Sequence, residues 1–142
     1  MNAIEIGLSG LDVEWRRLEI IAQNLANMNT TRTETGEVYR PLRLLSGPTN
    51  DFSVMLDAGG AAFTPSGVGV IAIEPQADAL RRAFEPNHPH ADEEGFVTYP
   101  NVDHASEMTL MIRASRAYEA NLAAVNMARE MYARALDIGR QS

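Results

Sequence analysis

The C-terminal part of the chain, residues 103–139, contains no proline and no internal glycine. Its apolar and aromatic side chains recur at alternating spacings of three and four residues, with Ser115 and Arg129 at two of the repeat positions. The repeating residues are Met108, Met111, Tyr118, Leu122, Val125, Tyr132 and Leu136. This spacing predicts one long α-helix with an apolar seam. At 1.5 Å per residue the helix would reach about 50 Å, too long for so small a chain to bury without a partner.

A second apolar seam lies near the N-terminus, within residues 2–28. Its members step by four and three residues without a slip: Ile4, Leu8, Leu11, Trp15, Leu18, Ala22 and Leu25. Gly7 and Gly10 interrupt the first half, and each costs ~1 kcal/mol relative to alanine in a helix interior. The pattern predicts an assembly helix that becomes ordered when its seam is covered by other subunits. A core helix of a small bundle is the alternative.

Residues 31–100 differ in composition from both ends, because they hold all seven prolines and most of the glycines. Short β-type runs occur at 38–40, 42–45, 52–56, 68–73, 80–84 and 96–99, with a loop at 57–61 and a turn at 65–67. Asp103 then offers an N-cap for the last helix.

We therefore predict an α+β chain with three parts. An N-terminal assembly helix occupies residues 1–30, a β-rich middle module residues 31–100, and a C-terminal assembly helix residues 101–142. The two long helices are expected to pair as an antiparallel, coiled-coil-like hairpin.

Charge and composition exclude several function classes. The net charge is −7, all twelve basic residues are arginine, and no basic cluster is present. This argues against nucleic-acid and anionic-membrane partners. The absence of cysteine removes disulfides, thiol catalysis and cysteine-bound metals. No apolar run approaches the ~20 residues that span a bilayer, and the N-terminus lacks a Sec-type signal pattern. We therefore expect no membrane insertion and no cleaved signal peptide.

The histidines are the main candidates for chemistry. His88 and His90 flank Pro89 beside the acidic residues 92–94, an arrangement that could be read as a metal site. The proline and the turn-rich setting favour a solvated loop instead, and His104 is most simply a surface residue. No nucleophile elbow or phosphate-binding loop is present. The sequence thus predicts no enzyme, no metal, no cofactor and no small-molecule substrate.

Polar side chains near the two seams complete the predicted interface. Asn24 and Asn27 can hydrogen-bond to neighbouring backbone where packing removes water. Arg113 and Arg116 flank the second seam and can reach carboxylates or carbonyls of an adjacent subunit, although simple solvent exposure is an equal alternative. The predicted subunit-interface residues are Ile4, Leu8, Leu11, Trp15, Leu18, Asn24, Leu25, Asn27, Met108, Met111, Arg113, Arg116, Tyr118, Asn121, Leu122, Val125, Tyr132 and Leu136.

Both helices carry stretches that resemble the bacterial flagellar rod and hook proteins. Residues 21–30 (IAQNLANMNT) resemble the N-terminal signature of that family. Residues 101–103 (NVD), 107–108 (EM) and 116–121 (RAYEAN) resemble its C-terminal signature.

Residues 29–40 and 84–103 make the chain most similar to the proximal-rod members. The resemblance covers residues 6–139 and is weakest between 45 and 67. The departures are few: Phe84 and Phe96 where tyrosine is common, and Trp15 in the first helix.

The resemblance implies a structural subunit of the flagellar basal body. Such proteins are exported by the flagellar type III apparatus without a cleaved signal and polymerise helically in the periplasmic rod that transmits torque. Their terminal helices surround the export channel, and the β module lies outside. The implied partners are further copies, other proximal-rod and distal-rod proteins, the rod–ring adaptor and the export apparatus. From the residues alone, a soluble helical adaptor or export chaperone that binds one partner stays open.

Overall fold

The computed structural model describes residues 2–49 and 67–140, which form two helices and two small sheets. In chain order the elements are α1 Ala3–Ala26, β1 Leu42–Pro48, β2 Val68–Pro75, β3 Leu80–Phe84, β4 Phe96–Pro100 and α2 His104–Arg140. The predicted α+β class and both helices are confirmed, as are the four strands that begin at 42, 68, 80 and 96. The predicted strand at 52–56, the loop at 57–61 and the first two residues of the turn at 65–67 lie outside the described residues.

A capping box starts α1. The Asn2 Oδ1 atom accepts a hydrogen bond from the Glu5 N–H at 2.9 Å, and the Glu5 carboxylate accepts one from the Asn2 N–H at 3.0 Å. Two of the otherwise unsatisfied donors of the first turn are thereby paired. The helix ends at Asn27, as the run of asparagine and threonine predicts.

Asp103 starts α2, as predicted. Its carboxylate accepts from the N–H groups of Ala105 and Ser106, each at 3.3 Å, and from the Ser106 hydroxyl. These bonds favour the ionised form and lower the pKa of Asp103, with the Ser106 hydroxyl as the largest cause. The cap fixes where the long helix leaves the sheet region.

The β1–β2 sheet is an antiparallel pair that covers one side of α1. Its register runs from Leu42 opposite Pro75 to Pro48 opposite Val68, with an irregularity after Leu45. The small apolar core consists of Val13, Ile20 and Leu44, with Leu42, Val68 and Val70 packed against it. The sheet is therefore attached to the N-terminal helix by a shared core.

The β3–β4 sheet is a separate antiparallel hairpin. None of the other described helices or strands packs against it. Its long loop is closed by Asp92, whose Oδ1 accepts from the Phe96 N–H at 2.8 Å. That bond is the largest cause of the lowered pKa of Asp92, and the neighbouring Arg82 guanidinium also lowers it. Outside the helices and strands, the segment after α1 contacts the hairpin through a 2.7 Å hydrogen bond between the Thr31 hydroxyl and His90 Nδ1.

The predicted strand at 38–40 is wrong. These residues have no ladder partner, and β1 begins only at Leu42. Pro41 has no N–H to donate to a ladder, although its carbonyl oxygen accepts from the Gln76 N–H at 2.8 Å. The Tyr39 side chain is directed to α1, where its hydroxyl donates to the Asn24 Oδ1 atom at 2.9 Å. Residues 38–40 therefore contact α1 through Tyr39 and do not extend the sheet.

The two helices run antiparallel, and α2 packs against no other described helix or strand. Gly7 lies opposite Val125, Gly10 opposite Asn121, and Asn24 contacts Glu107 near the other end. A Cβ atom on Gly7 would overlap Val125 Cγ2, and one on Gly10 would lie 2.8 Å from Asn121 Nδ2. The glycines that weaken the helix in isolation are therefore the points where the helices approach most closely. The coiled-coil character of the pair stays a prediction.

Gly7→Ala tests this close approach. Alanine gains up to ~1 kcal/mol of helix propensity, but its methyl group overlaps the buried, β-branched Val125, and overpacking costs ~1–3 kcal/mol. We expect a net loss of about 1–2 kcal/mol in the free energy of unfolding, measured by urea denaturation. Gly139→Ala is the matched control, because nothing lies within 4 Å of a Cβ there. A Gly7→Ala variant as stable as the control would contradict the packing.

Candidate subunit interface

Much of the predicted apolar seam on α2 lies in solvent. Met108, Leu122, Tyr132 and Leu136 are exposed, with 42% of Leu122 and 69% of Leu136 accessible. Val125 is the one fully buried member of that seam, at 2%. Such a row of large apolar side chains on one helix indicates a surface that binds protein.

The seam of α1 is only partly covered. Leu8 is exposed, and Trp15 is 54% accessible, with its ring 6.3 Å from that of Tyr118 on α2. Ala22 is exposed, and the remaining predicted residues of both seams are half-buried: Ile4, Leu11, Leu18, Leu25, Met111 and Tyr118.

The residues buried on the two helices are mostly not those of the predicted seams. They are Gly7, Gly10, Val13, Ile20, Ile21, Asn24, Glu107, Ala114 and Val125. Of these, Val13 and Ile20 pack in the core shared with β1, and Gly7 lies against Val125, a member of the α2 seam. Packing of the two seams on each other and their contact with adjacent subunits stay predictions.

The far third of α2 extends beyond α1. Because Gly7 faces Val125, the start of α1 is level with Ala128, and both Ala3 and Ala128 line one shallow hollow of about 300 Å³ with Met131, Tyr132 and Ala135. Every residue from 129 to 140 is exposed. These twelve residues, or roughly 18 Å of helix, are thus left largely uncovered by the described part of the chain.

A buried asparagine joins three parts of the fold. Asn24 is 1% exposed. Its Oδ1 atom accepts from the Leu42 N–H and the Tyr39 hydroxyl, both at 2.9 Å, and its Nδ2 atom donates to the Leu42 carbonyl at 2.9 Å and to Glu107 Oε2 at 3.4 Å. The amide thereby pairs the start of β1 with both helices. Asn24 was predicted to bind neighbouring backbone, and here it binds the backbone of its own chain.

Glu107 and Gln76 complete this junction. The Gln76 Nε2 atom donates to the Leu42 carbonyl and to Glu107 Oε1, both at 3.3 Å. Tyr39 has a raised pKa, mainly because it is partly buried and secondly because the Glu107 carboxylate is near. Sequence reasoning missed Tyr39, Gln76 and Glu107. The one available signal was a glutamate in the first turn of α2, and a glutamate is common there because it interacts favourably with the helix dipole.

The other predicted polar residues have local or no partners. The Asn27 side chain donates to the Gln23 carbonyl at 2.9 Å and thus serves the end of its own helix. Asn121 is half-buried beside Gly10. Arg113 and Arg116 are exposed and make no hydrogen bond or ion pair with the described residues.

The histidine pair makes one hydrogen bond within its loop and one to the segment after α1. The His88 Nδ1 atom accepts from the His90 N–H at 3.0 Å, and the His90 Nδ1 atom shares a hydrogen bond of 2.7 Å with the Thr31 hydroxyl. In the described part of the chain no group of three or more His, Asp or Glu could hold a metal ion. Neither described helix is long and apolar enough to cross a membrane.

Both helical regions match family models. Residues 4–32 match the model described as "Flagella basal body rod protein", and residues 93–138 match the one described as "Flagellar basal body rod FlgEFG protein C-terminal". The matched ranges include α1 and nearly all of α2, the two elements that carry the exposed apolar faces.

Whole-chain relatives agree with these matches. The chain is 33% identical to the flagellar basal-body rod protein FlgC of Borreliella burgdorferi, over 96% of this chain and 95% of that protein. It is 32% identical to FlgC of Bacillus subtilis, over 98% and 97%, and 35% identical to FlgC of Escherichia coli O6:H1, over 99% and 98%. The chain therefore belongs to the flagellar basal-body rod protein family. Its end-to-end similarity to FlgC proteins confirms the resemblance drawn from the sequence.

Asn24→Ala should weaken the junction strongly. The substitution leaves the Leu42 N–H and the Tyr39 hydroxyl without their acceptor and removes one of the two donors to the Leu42 carbonyl. Each group left unsatisfied costs about 1–3 kcal/mol. We expect a loss of at least about 2 kcal/mol in the free energy of unfolding. Gln23→Ala, at the exposed neighbouring position, is the control and should change stability by under ~0.5 kcal/mol. Equal losses for the two variants would contradict the junction.

The single tryptophan reports on the exposed face of α1. Trp15 is half exposed in the free chain, and its indole N–H donates to Glu19 at 3.1 Å. If a neighbouring subunit covers this face, the fluorescence maximum moves to shorter wavelength on assembly, because the indole leaves water. Fluorescence of dilute chain and of assembled filaments measures the shift. An unchanged maximum, with iodide quenching equal in both states, would show that Trp15 lies outside the contact.

Proposed function

We propose that the chain is a structural, non-enzymatic subunit of the flagellar basal-body rod, which assembles by covering the exposed faces of α1 and α2 with neighbouring subunits. The observation that carries this proposal is the row of exposed apolar residues along α2. Burial of one such side chain contributes roughly 1.5–3 kcal/mol to association. In a repeating assembly every subunit makes this contribution.

The proposal also covers where the subunit is located and how it is exported. The subunit is placed in the periplasmic rod, exported by the flagellar type III apparatus without a cleaved signal, and polymerised helically. Its two helices form a coiled-coil-like pair around the export channel and transmit torque. Its partners are further copies, other proximal-rod and distal-rod proteins and the rod–ring adaptor. Similarity to FlgC proteins over nearly the full chain supports this placement.

The three-part organisation has a function in this arrangement. Residues 31–100 carry a net charge of −5, whereas residues 101–142 carry none. Residues 1–30 carry −2, so both helices are nearly balanced and can stack on identical helices with little like-charge repulsion, while the acidic part is tolerated at larger radius. The β3–β4 hairpin, which packs on no other described element, suits an outer position in contact with neighbours.

A single-partner adaptor or export chaperone is the competing function, and stoichiometry separates the two. An adaptor would bury its apolar face in one closed complex. A rod subunit is present in several copies within one filament. The family relationship favours the rod subunit.

Leu122→Asp tests the assembly face. Leu122 is exposed in the single chain, so the charge is tolerated there, but at a dry contact it would be buried without a partner. We expect the variant to stay soluble with unchanged helix content and to be absent from purified basal bodies, with loss of motility. Leu122→Met, which keeps an apolar side chain of similar volume, is the control and should assemble. Normal rods with Leu122→Asp would contradict the proposal that the apolar seam of α2 is buried between subunits.

A further inference from the structure

Glu107 is a buried carboxylate without a cation. The residue is 5% exposed, and its oxygens accept only from two neutral amides, those of Asn24 and Gln76, at 3.4 and 3.3 Å. Both bonds are longer than the 2.7–3.2 Å typical of N–H···O contacts. A carboxylate has about four acceptor positions, so roughly half of its capacity is unused. The first turn of α2 offers it a partial positive charge only.

No basic side chain of the same chain answers this charge. Arg17 and Arg43 line the same cavity, but the Arg17 guanidinium binds Glu14, the Leu44 carbonyl and the Ser46 hydroxyl, and the Arg43 guanidinium pairs with Glu74 at 3.0 Å. No ion pair to Glu107 exists among residues 2–49 and 67–140. The sequence from 50 to 66 contains no Arg, Lys or His. A buried charge of this kind is costly unless it is paired.

The space beside Glu107 is large enough for an incoming side chain. The cavity has a volume of about 400 Å³ and is walled mainly by apolar residues, among them Ile20, Leu44 and Leu110. Volumes of ~300–1,000 Å³ are typical of sites that bind small ligands, so one guanidinium with its apolar stem fits. The lining suits an arginine, whose stem is apolar and whose head makes two parallel bonds to a carboxylate.

We propose that this cavity receives the guanidinium of Arg116 from a second copy of the chain, which pairs with Glu107. The inference rests on the proposed function, and it names the partner group of one subunit contact. The chain contains no lysine, so a second copy supplies a permanent cation only as arginine. Arg116 is exposed and makes no hydrogen bond or ion pair with residues 2–49 and 67–140 of its own chain.

The position of Arg116 on α2 fits a contact that can repeat. Arg116 is two residues on from buried Ala114, or about 200° around the helix, so it stands on the side of α2 that faces away from α1. Arg113 instead shares a stripe with Ser106 and Leu110, which line the cavity. A contact between two different faces is heterologous and propagates from subunit to subunit. Arg116 lies on a different face from the cavity and can make such a contact, whereas Arg113 lies on the same face as the cavity.

Neutral isosteres test the pair in the full chain. Self-association of the purified chain is measured by sedimentation equilibrium for wild type, Glu107→Gln, Arg116→Gln and the double variant. Glu107→Gln keeps the shape of the side chain, and circular dichroism confirms its fold. We expect each single variant to weaken self-association roughly thirtyfold or more, with little further loss in the double variant. Arg113→Gln is the matched control and should associate like wild type.

The outcomes separate this inference from the proposed function. Additive losses, an unaffected Glu107→Gln variant, equal losses for Arg113→Gln and Arg116→Gln, or a wild-type chain that never self-associates would each overturn the pairing. Loss of Glu107→Gln from purified basal bodies with unchanged self-association would assign the cation to a different rod protein and overturn the second-copy assignment. Absence of the wild-type chain from basal bodies would instead refute the proposed function.

Disulfide trapping supplies a second measurement. The natural chain has no cysteine, so Ala77→Cys at the cavity and Ala120→Cys one turn beyond Arg116 give a clean pair. Oxidation of assembled material should produce linked multimers from the double-cysteine chain, and neither single-cysteine chain should form them. Multimers absent under these conditions would contradict the contact.

Discussion

The length of α2 is the constraint on which the rest of the structure depends. Its 37 residues exceed the 24 of α1 by about half, and among the described elements only α1 packs against it. A helix buries only the side that faces a neighbour, so α1 can cover one stripe and must leave the last third bare. The apolar residues of that third, among them Met131 and Leu136, remain in water in a single chain. A chain built in this way gains its missing burial by association.

A few small and polar residues determine how α1, α2 and the β1–β2 sheet are positioned relative to one another. Because Gly7 and Gly10 have no side chains, α1 approaches α2 closely enough for Val125 of α2 to be buried against α1. At the opposite end, Asn24 satisfies both backbone groups of Leu42 and thereby sets the start of β1 on the helix. Because an amide has directional donors and acceptors, this junction defines one arrangement, which apolar packing alone does not. The exposed faces are then presented in a fixed relation to each other.

Local patterns in the sequence were sufficient for the elements but not for their contacts. The three-and-four spacing predicts both helices, Asp103 predicts the start of α2, and short β-type runs predict the strands at 68 and 96. The strand at 38–40 failed because its pattern cannot show that Pro41 ends the ladder and that the Tyr39 hydroxyl binds Asn24. Heptad spacing identifies the apolar residues of each helix. The line along which the two helices approach most closely depends instead on where the side chains are smallest. The partnership of Asn24 with Glu107 spans 83 positions, beyond the reach of any local pattern.

The surfaces left incomplete by folding are complementary to one another. One side of α2 and its junction hold a carboxylate that lacks a cation, and the opposite side holds an exposed arginine that lacks an anion. Apolar residues flank both, such as Leu110 beside the first and Ile112 beside the second. The cost of desolvating either charge alone would oppose association. In the proposed contact each charge offsets part of the cost of desolvating the other. The pair also specifies register, because an apolar face can slide along its neighbour whereas a buried ion pair has one position. A rod that transmits torque needs such a fixed register more than it needs additional apolar area.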